Sequence, residues 1–441
     1  NNQFIMAKNK KKKNKNKTKK LHFSDYKVTF LNHASYSIET KDELLLMDPW
    51  FFGRVFNNSW SLMRETQTDK IDFNKLKYIC FSHEHPDHLH WPTLKFIREK
   101  CKQPITILFP SRDNENVKQN CERLGFLFRE LKHNQPTKIG KFTTIFTYPV
   151  GHDNALVFKL GSKTLLNQND AYLKDSQAIE IKKKHPNIDA WFMQFSLAGF
   201  YANKTDEKGL QKDGKDFHIN KFEHYQNIFK PKTSIPFASF VYFCKKYNSY
   251  MNDWIVTLDE IEEVSQHPLQ ILFYGDEMSW EYEGDNKDKI SLWSDVFQNE
   301  TTIDDDPKKV SESTILELTE KLMDIVVKDT EVYVHQTKSY IKLHQVAPNP
   351  IYLKFYDHER YFGIDFKGLR YGFFDSIDND RLAGILPLEE FESFLKFDWG
   401  ADTLNVTAAF EVINGAVWSN LLIYRDFLYE RIDFKKLEGQ V

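Results

Sequence analysis

The order of apolar and polar positions predicts a chain of short strands and helices that alternate between residues 21 and 300. Short apolar runs rich in β-branched and aromatic side chains are typical of strands, whereas apolar positions that recur every three or four residues are typical of helices. This alternation favours helices that cover the faces of a β-sheet. The predicted strands are 26–31, 36–39, 44–47, 78–81, 105–109, 143–149, 157–160, 164–166, 190–195, 233–243 and 272–280. The predicted helices are 92–101, 115–124 and 222–229.

A second group of elements follows a polar and acidic stretch at residues 281–311, which we interpret as a linker. Apolar stripes and short β-rich runs then recur towards the C-terminus. We therefore predict two folded domains, residues 21–300 and a smaller α+β accessory domain at residues 310–441. In the second domain, helices are predicted at 315–326, 388–394 and 417–429, and strands at 351–355, 361–364 and 371–374.

Residues 1–20 differ in composition from the rest of the chain. They contain nine lysines and no acidic residue, and such low-complexity segments bury too little apolar surface to fold. We expect a disordered, solvated tail. Attraction to nucleic acid or anionic lipid is the alternative, which the lack of interleaved aromatic residues disfavours. The whole chain carries a net charge of −3, so the remainder is acidic and specific nucleic-acid binding is not expected.

The cysteines and the hydropathy pattern indicate the cellular compartment. Four cysteines are present and none forms a C-x-x-C pair, so we expect reduced thiols. No apolar run reaches the ~18–20 residues that a membrane span needs, and no secretory signal is visible. These observations predict a cytoplasmic protein without a membrane span.

A loop rich in metal-ligating residues lies between a predicted strand and the helix that follows it. His83 and His85 are two positions apart, so in an extended loop both imidazoles point the same way and can bind one ion. Asp87 and His88 lie further along and suit a second ion, since imidazole is a good ligand for zinc and iron and a carboxylate adds hard oxygen character. A surface loop that is His-rich by chance is the alternative, but such clusters usually mark metal sites. His90 lies outside the pattern, and we interpret it as a residue that supports the site or lies at the surface.

The motif H-E-H-P-D-H at residues 83–88 matches the H-x-H-x-D-H signature of the metallo-β-lactamase fold. Three further segments resemble the CMP-N-acetylneuraminate hydroxylase subgroup: D-P-W-F-F-G-R-V-F at 48–56, L-L-N-Q-N-D at 165–170 and P-F-A-S-F-V-Y-F-C at 236–244. The resemblance covers residues 21–300. It implies an α/β protein, an αββα sandwich with one or two metal ions at one edge of its sheets, followed by the smaller C-terminal α+β domain.

The resemblance also implies which residues complete the metal ligands. His152 is the expected third ligand of the first metal. Asp170 is the expected bridge between the metals, because its two oxygens can reach separate cations. Asp48 is expected beneath the metal loop, where it either orients a ligand imidazole or caps a strand end. We interpret His33 as structural.

Lys245 stands where members of this family tend to carry a final histidine ligand. A protonated lysine has no lone pair to offer a cation, so the second metal site is weak or absent, or another residue takes this place. Lys245 and Asp87 are the candidate catalytic residues. For Lys245 the role would be to donate a proton or hold an anionic group, and the alternative is a side chain that extends into solvent. The candidate replacements are His218, His224 and His267.

An aromatic-rich stretch follows Asp48 in the sequence. Such a stretch can form the wall of a pocket for a small-molecule substrate. Trp50 and Trp60 are therefore candidates for substrate contact, and packing in the core is an equal alternative for both.

The expected ligands are compatible with three functions. The resemblance implies a non-haem iron oxygenase that hydroxylates a small polar or conjugated metabolite. The sequence has no C-x-H and C-x-x-H Rieske ligand set, so electrons would come from a separate electron-transfer protein. A zinc-dependent hydrolase of phosphodiesters, lactones or thioesters is the alternative, and a metal-binding protein with degenerate activity is the third. We favour the oxygenase slightly and expect one or two divalent metal ions, iron or zinc.

Overall fold

The computed structural model describes residues 25–111, 115–140, 143–327, 331–334, 339–342, 347–377, 379–397 and 399–438. The predicted N-terminal tail lies outside these residues. The strands are β1 Lys27–Asn32, β2 Ser35–Glu39, β3 Leu44–Met47, β4 Arg54–Val55, β5 Trp60–Leu62, β6 Leu76–Cys80, β7 Thr106–Pro110, β8 Leu127–Leu131, β9 Thr137–Ile139, β10 Thr143–Val150, β11 Asp153–Leu160, β12 Lys163–Asn169, β13 Ala190–Gln194, β14 Thr233–Phe237, β15 Val241–Phe243, β16 Glu331–Val334, β17 Ser339–Lys342, β18 Ile351–Phe355, β19 Tyr361–Asp365, β20 Arg370–Phe374, β21 Leu382–Leu386 and β22 Glu411–Val412.

The helices surround the sheets that these strands form. A π-helical turn at Leu210–Asp216 joins two of the helices into one continuous segment. The helices are α1 Trp91–Lys100, α2 Glu115–Arg123, α3 Asp175–Lys184, α4 Glu207–Gly209, α5 Phe217–Phe229, α6 Leu258–Val264, α7 Lys287–Glu300, α8 Glu312–Val327, α9 Leu388–Lys396, α10 Gly400–Thr407 and α11 Gly415–Glu438.

Two six-stranded sheets lie face to face in the N-terminal part of the chain. The first has the order β1-β2-β3-β6-β7-β8, and the second has the order β14-β13-β12-β11-β10-β9. Alternation along β3 shows how the layers form: Leu45 and Met47 belong to the core between the sheets, whereas Leu44 and Leu46 pack beneath α1 and α2. On the outer face of the second sheet, the ring of Trp191 packs at a tilt against Phe222 of α5, with the ring centroids 5.0 Å apart. The predicted αββα sandwich is confirmed.

The histidine-rich loop begins where β6 ends and stops where α1 begins. His90 is the N-cap of α1, and its imidazole Nδ1 accepts a hydrogen bond from the backbone N–H of Thr93. Pro92 occupies the first turn, where its missing N–H costs nothing. His90 is buried, and burial lowers its pKa to about 4, so the cap is a neutral imidazole. The loop is therefore held rigidly at both ends.

The structure corrects three expectations about secondary structure. Residues 281–311 are not a linker throughout, because α7 lies within them and buries Trp293 and Val296 in the central core. The stretch 272–280 forms no strand; it contributes an isolated bridge from Glu277 to β1. The apolar run 233–243 is divided between two sheets, since β14 pairs with β13 while β15 pairs with β5.

The C-terminal residues form a five-stranded sheet of order β20-β19-β18-β21-β22 with its own apolar cluster. That cluster includes Ile315 of α8, Leu353 of β18, Phe391 of α9 and Trp418 of α11. The boundary at residues 300–310 stays a prediction. Across the described part of the chain, we find no helix with the length and apolar character that crossing a membrane would require.

Candidate metal centre

Segments from four places in the sequence meet at one edge of the two sheets. The groups that converge there fall into two clusters, and within each cluster the ligand atoms all lie within 4.8 Å of one another. The first cluster contains His83, His85, Asp153 and Asp170, and the second contains His33, Asp87 and His88.

The first cluster is built around the imidazole of His83. Its Nε2 lies 2.8 Å from Nδ1 of His85, 3.5 Å from Oδ2 of Asp170 and 3.6 Å from Oδ1 of Asp153. The His83 side chain is fully buried, whereas the side chain of His85 is 32% exposed. This cluster therefore opens to solvent on the His85 side.

The second cluster lies deeper. Oδ2 of Asp87 is 3.2 Å from Nε2 of His33 and 3.4 Å from Nε2 of His88. All three residues are buried. His33 reaches this place because it sits in the tight turn between β1 and β2 with a φ of +33°, which aims its ring inward from the sheet edge.

Asp170 stands between the two clusters. Its Oδ2 is 3.5 Å from Nε2 of His83 and 3.4 Å from Nε2 of His88. Two hydrogen bonds of Asn169 fix the backbone at Asp170. The side-chain oxygen of Asn169 accepts from the Asp170 backbone N–H, and the Asn169 amide donates to the carbonyl of Asn154. The geometry thus agrees with the bridging position expected for Asp170.

Asp48 holds the deeper cluster in orientation. Its Oδ2 lies 2.7 Å from Nδ1 of His88, and both its oxygens accept hydrogen bonds from Ser82. Because Asp48 accepts from Nδ1–H, the lone pair of His88 Nε2 faces the cluster. Of the two interpretations of Asp48, the structure favours the one in which its carboxylate orients the imidazole of His88.

Charges in the clusters shift the pKa values strongly. Burial alone would lower the pKa of His88, but the carboxylates of Asp87, Asp170 and Asp48 raise it well above its usual value. Burial would raise the pKa of Asp87, but the charge of His88 and the hydrogen bonds from His33 and His88 hold it well below its usual value. Burial lowers the pKa of His83 well below 6.5. The lowered pKa of Asp87 favours its ionised carboxylate, which is stabilised by positive charge nearby.

A cation fits this requirement. Oδ1 of Asp87 and Oδ1 of Asp170 are buried and have no hydrogen-bond donor among the described residues, although buried polar atoms are almost always paired. Imidazole nitrogens that converge with carboxylate oxygens form the donor set that zinc and iron prefer. The residues present therefore fit one or two divalent ions.

The structure does not bring His152 to the first cluster. β10 and β11 pair in a register that places Val150 opposite Asp153, so Gly151 and His152 are the two turn residues between the strands. Gly151 takes a φ of +56° there, and the His152 side chain is exposed. Asp153, one residue further, is the side chain that faces His83. The expected strand end lies at the first cluster, where Asp153 rather than His152 converges with His83, and the metal ligand itself stays a prediction.

Lys245 also lies outside both clusters. Its Nζ donates to Oε1 of Glu389 at 2.7 Å and to Oε1 of Glu390 at 2.8 Å, and all three side chains are buried. It therefore neither extends into solvent nor occupies a ligand position. It joins the N-terminal part of the chain to α9. The third member of the deeper cluster is His33, which sequence reasoning had interpreted as structural.

The three histidines named as replacements are not among the converging groups. His218 is buried between the hydroxyls of Tyr172 and Tyr201, at 2.9 and 2.7 Å. His224 is exposed and pairs with Asp175. The signal that could have identified His33 was its place in the turn after β1, at the same sheet edge as the histidine-rich loop.

The two tryptophans proposed for substrate contact are both buried. Trp50 donates to the carbonyl of Phe52, and its ring lies edge-on to His33 at 5.6 Å. Trp60 donates from Nε1 to the carbonyl of Val406 and packs against Phe56. Of the two alternatives, packing describes both residues. Trp50 supports a ligand, and Trp60 contacts the C-terminal segment.

The αββα sandwich and its histidine–carboxylate clusters define a protein of the metallo-β-lactamase fold, a fold of metal-dependent hydrolases and oxygenases. Residues 27–178 match the family described as the Beta-lactamase superfamily domain. Every member of the two clusters lies within this segment.

Curated relatives match a shorter segment. Cytidine monophosphate-N-acetylneuraminic acid hydroxylase of Cricetulus griseus is 35% identical over 81 residues, which are 18% of this chain and 14% of that protein. The hydroxylase of Asterias rubens is 35% identical over 81 residues, 18% of this chain and 12% of that protein. The Homo sapiens relative, named as inactive, is 36% identical over 76 residues, 17% of this chain and 15% of that protein. The match thus spans about a seventh of each relative.

Solved structures resemble the same part of the molecule at low identity. CmlA, a diiron beta-hydroxylase from Streptomyces venezuelae, has a TM-score of 0.41 at 15% identity, covering 58% of this chain and 54% of that chain. The metallo-beta-lactamase fold protein YhfI from Bacillus subtilis has a TM-score of 0.41 at 16% identity, covering 58% of this chain and 99% of that chain.

Proposed function

We propose that this protein is a non-haem iron oxygenase with a two-metal centre, which hydroxylates a small polar or conjugated metabolite. The observation that carries the proposal is the composition of the two clusters. Each contains two imidazoles and at least one carboxylate, a donor set typical of non-haem iron oxygenases. Structural zinc sites are richer in thiolate and imidazole.

The residues have separate tasks in this proposal. His83, His85 and Asp153 would hold the first ion, and His33 and His88 the second. Asp87, which the sequence suggested as a catalytic residue, would serve as a ligand of the second ion. Asp170 would contact both ions, because its Oδ2 is within 3.5 Å of an imidazole from each cluster.

The reaction sets the requirement for partners. Bound iron would supply the activation of O₂. Hydroxylation places one oxygen atom in a C–H bond and reduces the other to water, which consumes two electrons and two protons. The electrons would come from a separate electron-transfer protein. On the protein side, Asp48 and Ser82 keep the His88 ring in place, and the burial of His33, Asp87 and His88 excludes bulk water from the deeper cluster.

Metal content tests the proposal. The protein should be expressed with iron and zinc both supplied, purified under nitrogen, and measured by elemental analysis. We expect close to two iron atoms per chain and O₂ consumption when a chemical reductant is added. Tightly bound zinc with no O₂ consumption, together with hydrolysis of a phosphodiester, lactone or thioester reporter, would instead favour a zinc-dependent hydrolase.

A pair of variants tests the ligand assignment. His33→Ala should reduce the stoichiometry from about two ions to about one, because the deeper cluster loses one of its two imidazoles. His224→Ala is the matched control, since that histidine is exposed and contacts Asp175 far from both clusters. Equal metal content in the two variants would contradict the role of His33.

A further inference from the structure

The C-terminal segment reaches the opening of the metal centre through α10. Oδ2 of Asp402, in the first turn of that helix, lies 3.9 Å from Nε2 of His85. His85 is the most exposed imidazole of the clusters, with a side chain that is 32% exposed against 0–2% for His33, His83 and His88. The helix therefore stands beside the solvent-exposed side of the first cluster.

The helix is fixed in this place at its other end. Asn248 donates to the carbonyl of Thr407 and also to that of Ser59. Trp60 donates from Nε1 to the carbonyl of Val406. Since both donors come from the N-terminal part of the chain, α10 is held against the metal-binding domain by hydrogen bonds that lie within one turn of its end.

The start of α10 carries an exposed aromatic pair. Trp399 is 53% exposed and Phe397 is 39% exposed, and their rings are nearly parallel, 6.2 Å apart at 9°. Gly400 packs so closely on the backbone of Phe394 that an added Cβ would lie 2.3 Å from its carbonyl oxygen, so the turn before α10 has little freedom. Trp399 thus presents an exposed ring that lies parallel to Phe397 at the start of a closely packed turn.

Trp399 is the N-cap of α10 and precedes Asp402 by three residues. The carbonyl of Trp399 accepts the hydrogen bond from Thr403 N–H, so the helical turn begins at this residue. Residues three apart in a helix are neighbours on one face, separated by about 4.5 Å along the axis. The backbone of Trp399 is consequently about one helical turn from Asp402, whose carboxylate lies 3.9 Å from His85.

We propose that Trp399 is a substrate subsite of the metal centre, which binds a planar aromatic or heteroaromatic ring of the substrate by stacking. The inference rests on the proposed function, because it assumes that the substrate reacts at the ions beside His85. It adds the class of substrate and assigns the C-terminal segment a part in binding it. An exposed tryptophan offers a large rigid face at a small cost in conformational entropy.

Two hydroxamates test the proposal without knowledge of the natural substrate. Acetohydroxamate binds metal through its two oxygens alone, and 3-phenylpropanohydroxamate adds a ring on a two-carbon arm. Both are titrated into the cobalt-loaded protein while its visible absorption is followed. Trp399→Ala should weaken binding of the phenyl compound by about two- to tenfold and leave acetohydroxamate unchanged. Phe374→Ala is the matched control, since Phe374 is 42% exposed on β20 at the edge of the C-terminal sheet.

The outcomes separate this proposal from the function on which it rests. If neither hydroxamate binds the parent protein, the metal centre itself is wrong and the subsite is overturned with it. If acetohydroxamate binds and Trp399→Ala affects the phenyl compound no more than Phe374→Ala does, the metal centre stands and the subsite is refuted.

A chemical label tests the position of α10 independently. All four cysteines are buried, so a cysteine introduced at the surface can be labelled selectively. A bulky maleimide on Asp402→Cys should slow removal of cobalt by a chelator several-fold, and the same label on Phe374→Cys should not. Equal rates for the two labelled proteins would overturn the placement of α10 at the opening.

Discussion

Replacement of Lys245 by methionine should destabilise the protein without changing its metal content. The ammonium group sits between two carboxylates of α9, at 2.7 Å from Glu389 and 2.8 Å from Glu390. Glu390 is 1% exposed and also accepts hydrogen bonds from Asn57 and Ser59. Methionine has a similar length, so the substitution removes the charge and keeps most of the volume.

The size of the expected loss in the free energy of unfolding follows from the groups that the substitution leaves behind. Without Lys245, two carboxylates stay buried side by side, and no other lysine or arginine among the described residues forms an ion pair with them. Breaking a buried ion pair by removing one partner costs about 3–5 kcal/mol. A surface pair on the same helix supplies the comparison: Lys308 contacts Glu392 at 2.6 Å, but the lysine side chain is 62% exposed, and exposed pairs contribute about 0–1 kcal/mol. Lys308→Met is therefore the matched control.

The loss of folding stability in Lys245→Met should depend on pH in a defined direction. Burial raises the pKa of Glu390, and Lys245 opposes that shift. In Lys245→Met the opposition is gone, so the folded-state pKa lies further above the unfolded value and the folded protein binds a proton more readily. The destabilisation should be largest at neutral pH and should shrink as the pH falls through the raised pKa of the folded state.

Urea unfolding, followed by tryptophan fluorescence and by far-UV circular dichroism, measures this prediction. Metal content is determined on the same samples. If Lys245→Met costs no more than Lys308→Met, the buried triad does not hold the C-terminal segment as argued. If Lys245→His raises the metal content, Lys245 lies near the ions and the structural assignment is refuted.

Three further predictions concern the metal centre and the surrounding fold. Asp48→Asn should weaken the affinity of the deeper cluster about 10- to 100-fold, because the amide no longer fixes the His88 ring, and a titration with metal buffers measures it. Asp153→Ala should remove metal from the first cluster while His152→Ala retains it, as elemental analysis of both variants will test. Burial lowers the pKa of His218 to about 3, so on acidification the unfolded chain takes up a proton before the folded protein does. Folding stability should therefore fall by a few kcal/mol between about pH 6.5 and pH 3. His218→Gln should flatten this pH dependence, which urea unfolding at several pH values measures.

The sequence by itself determined the fold class and the centre of the candidate site. A six-residue motif contains His83, His85, Asp87 and His88, so one strand–loop–helix unit brings them together whatever surrounds it. The family resemblance also pointed to Asp170, which directly follows a strand that ends at the same sheet edge. Most predicted strands were found as well, since burial on alternate faces leaves a local pattern, but residues 272–280 form no strand.

The tertiary structure decided the residues that come from distant turns or that depend on register. His33 joins Asp87 only because the first hairpin ends beside a loop some fifty positions later. Asp153 replaces His152 because a two-residue turn exposes one position and points the next inward, and a shift of one residue exchanges the two faces of a strand.

Long-range packing also decided the roles of Lys245, Trp60 and Asp402. Each of the three side chains contacts a segment more than a hundred residues away in the chain. Trp60 also makes a local ring contact with Phe56. No local pattern encodes such contacts, because the sequence around a lysine beside a strand is the same whether its side chain faces a cation, solvent or two glutamates. The partner appears only when the C-terminal segment is packed against the metal-binding domain, and the free energy of burying these groups depends on that packing.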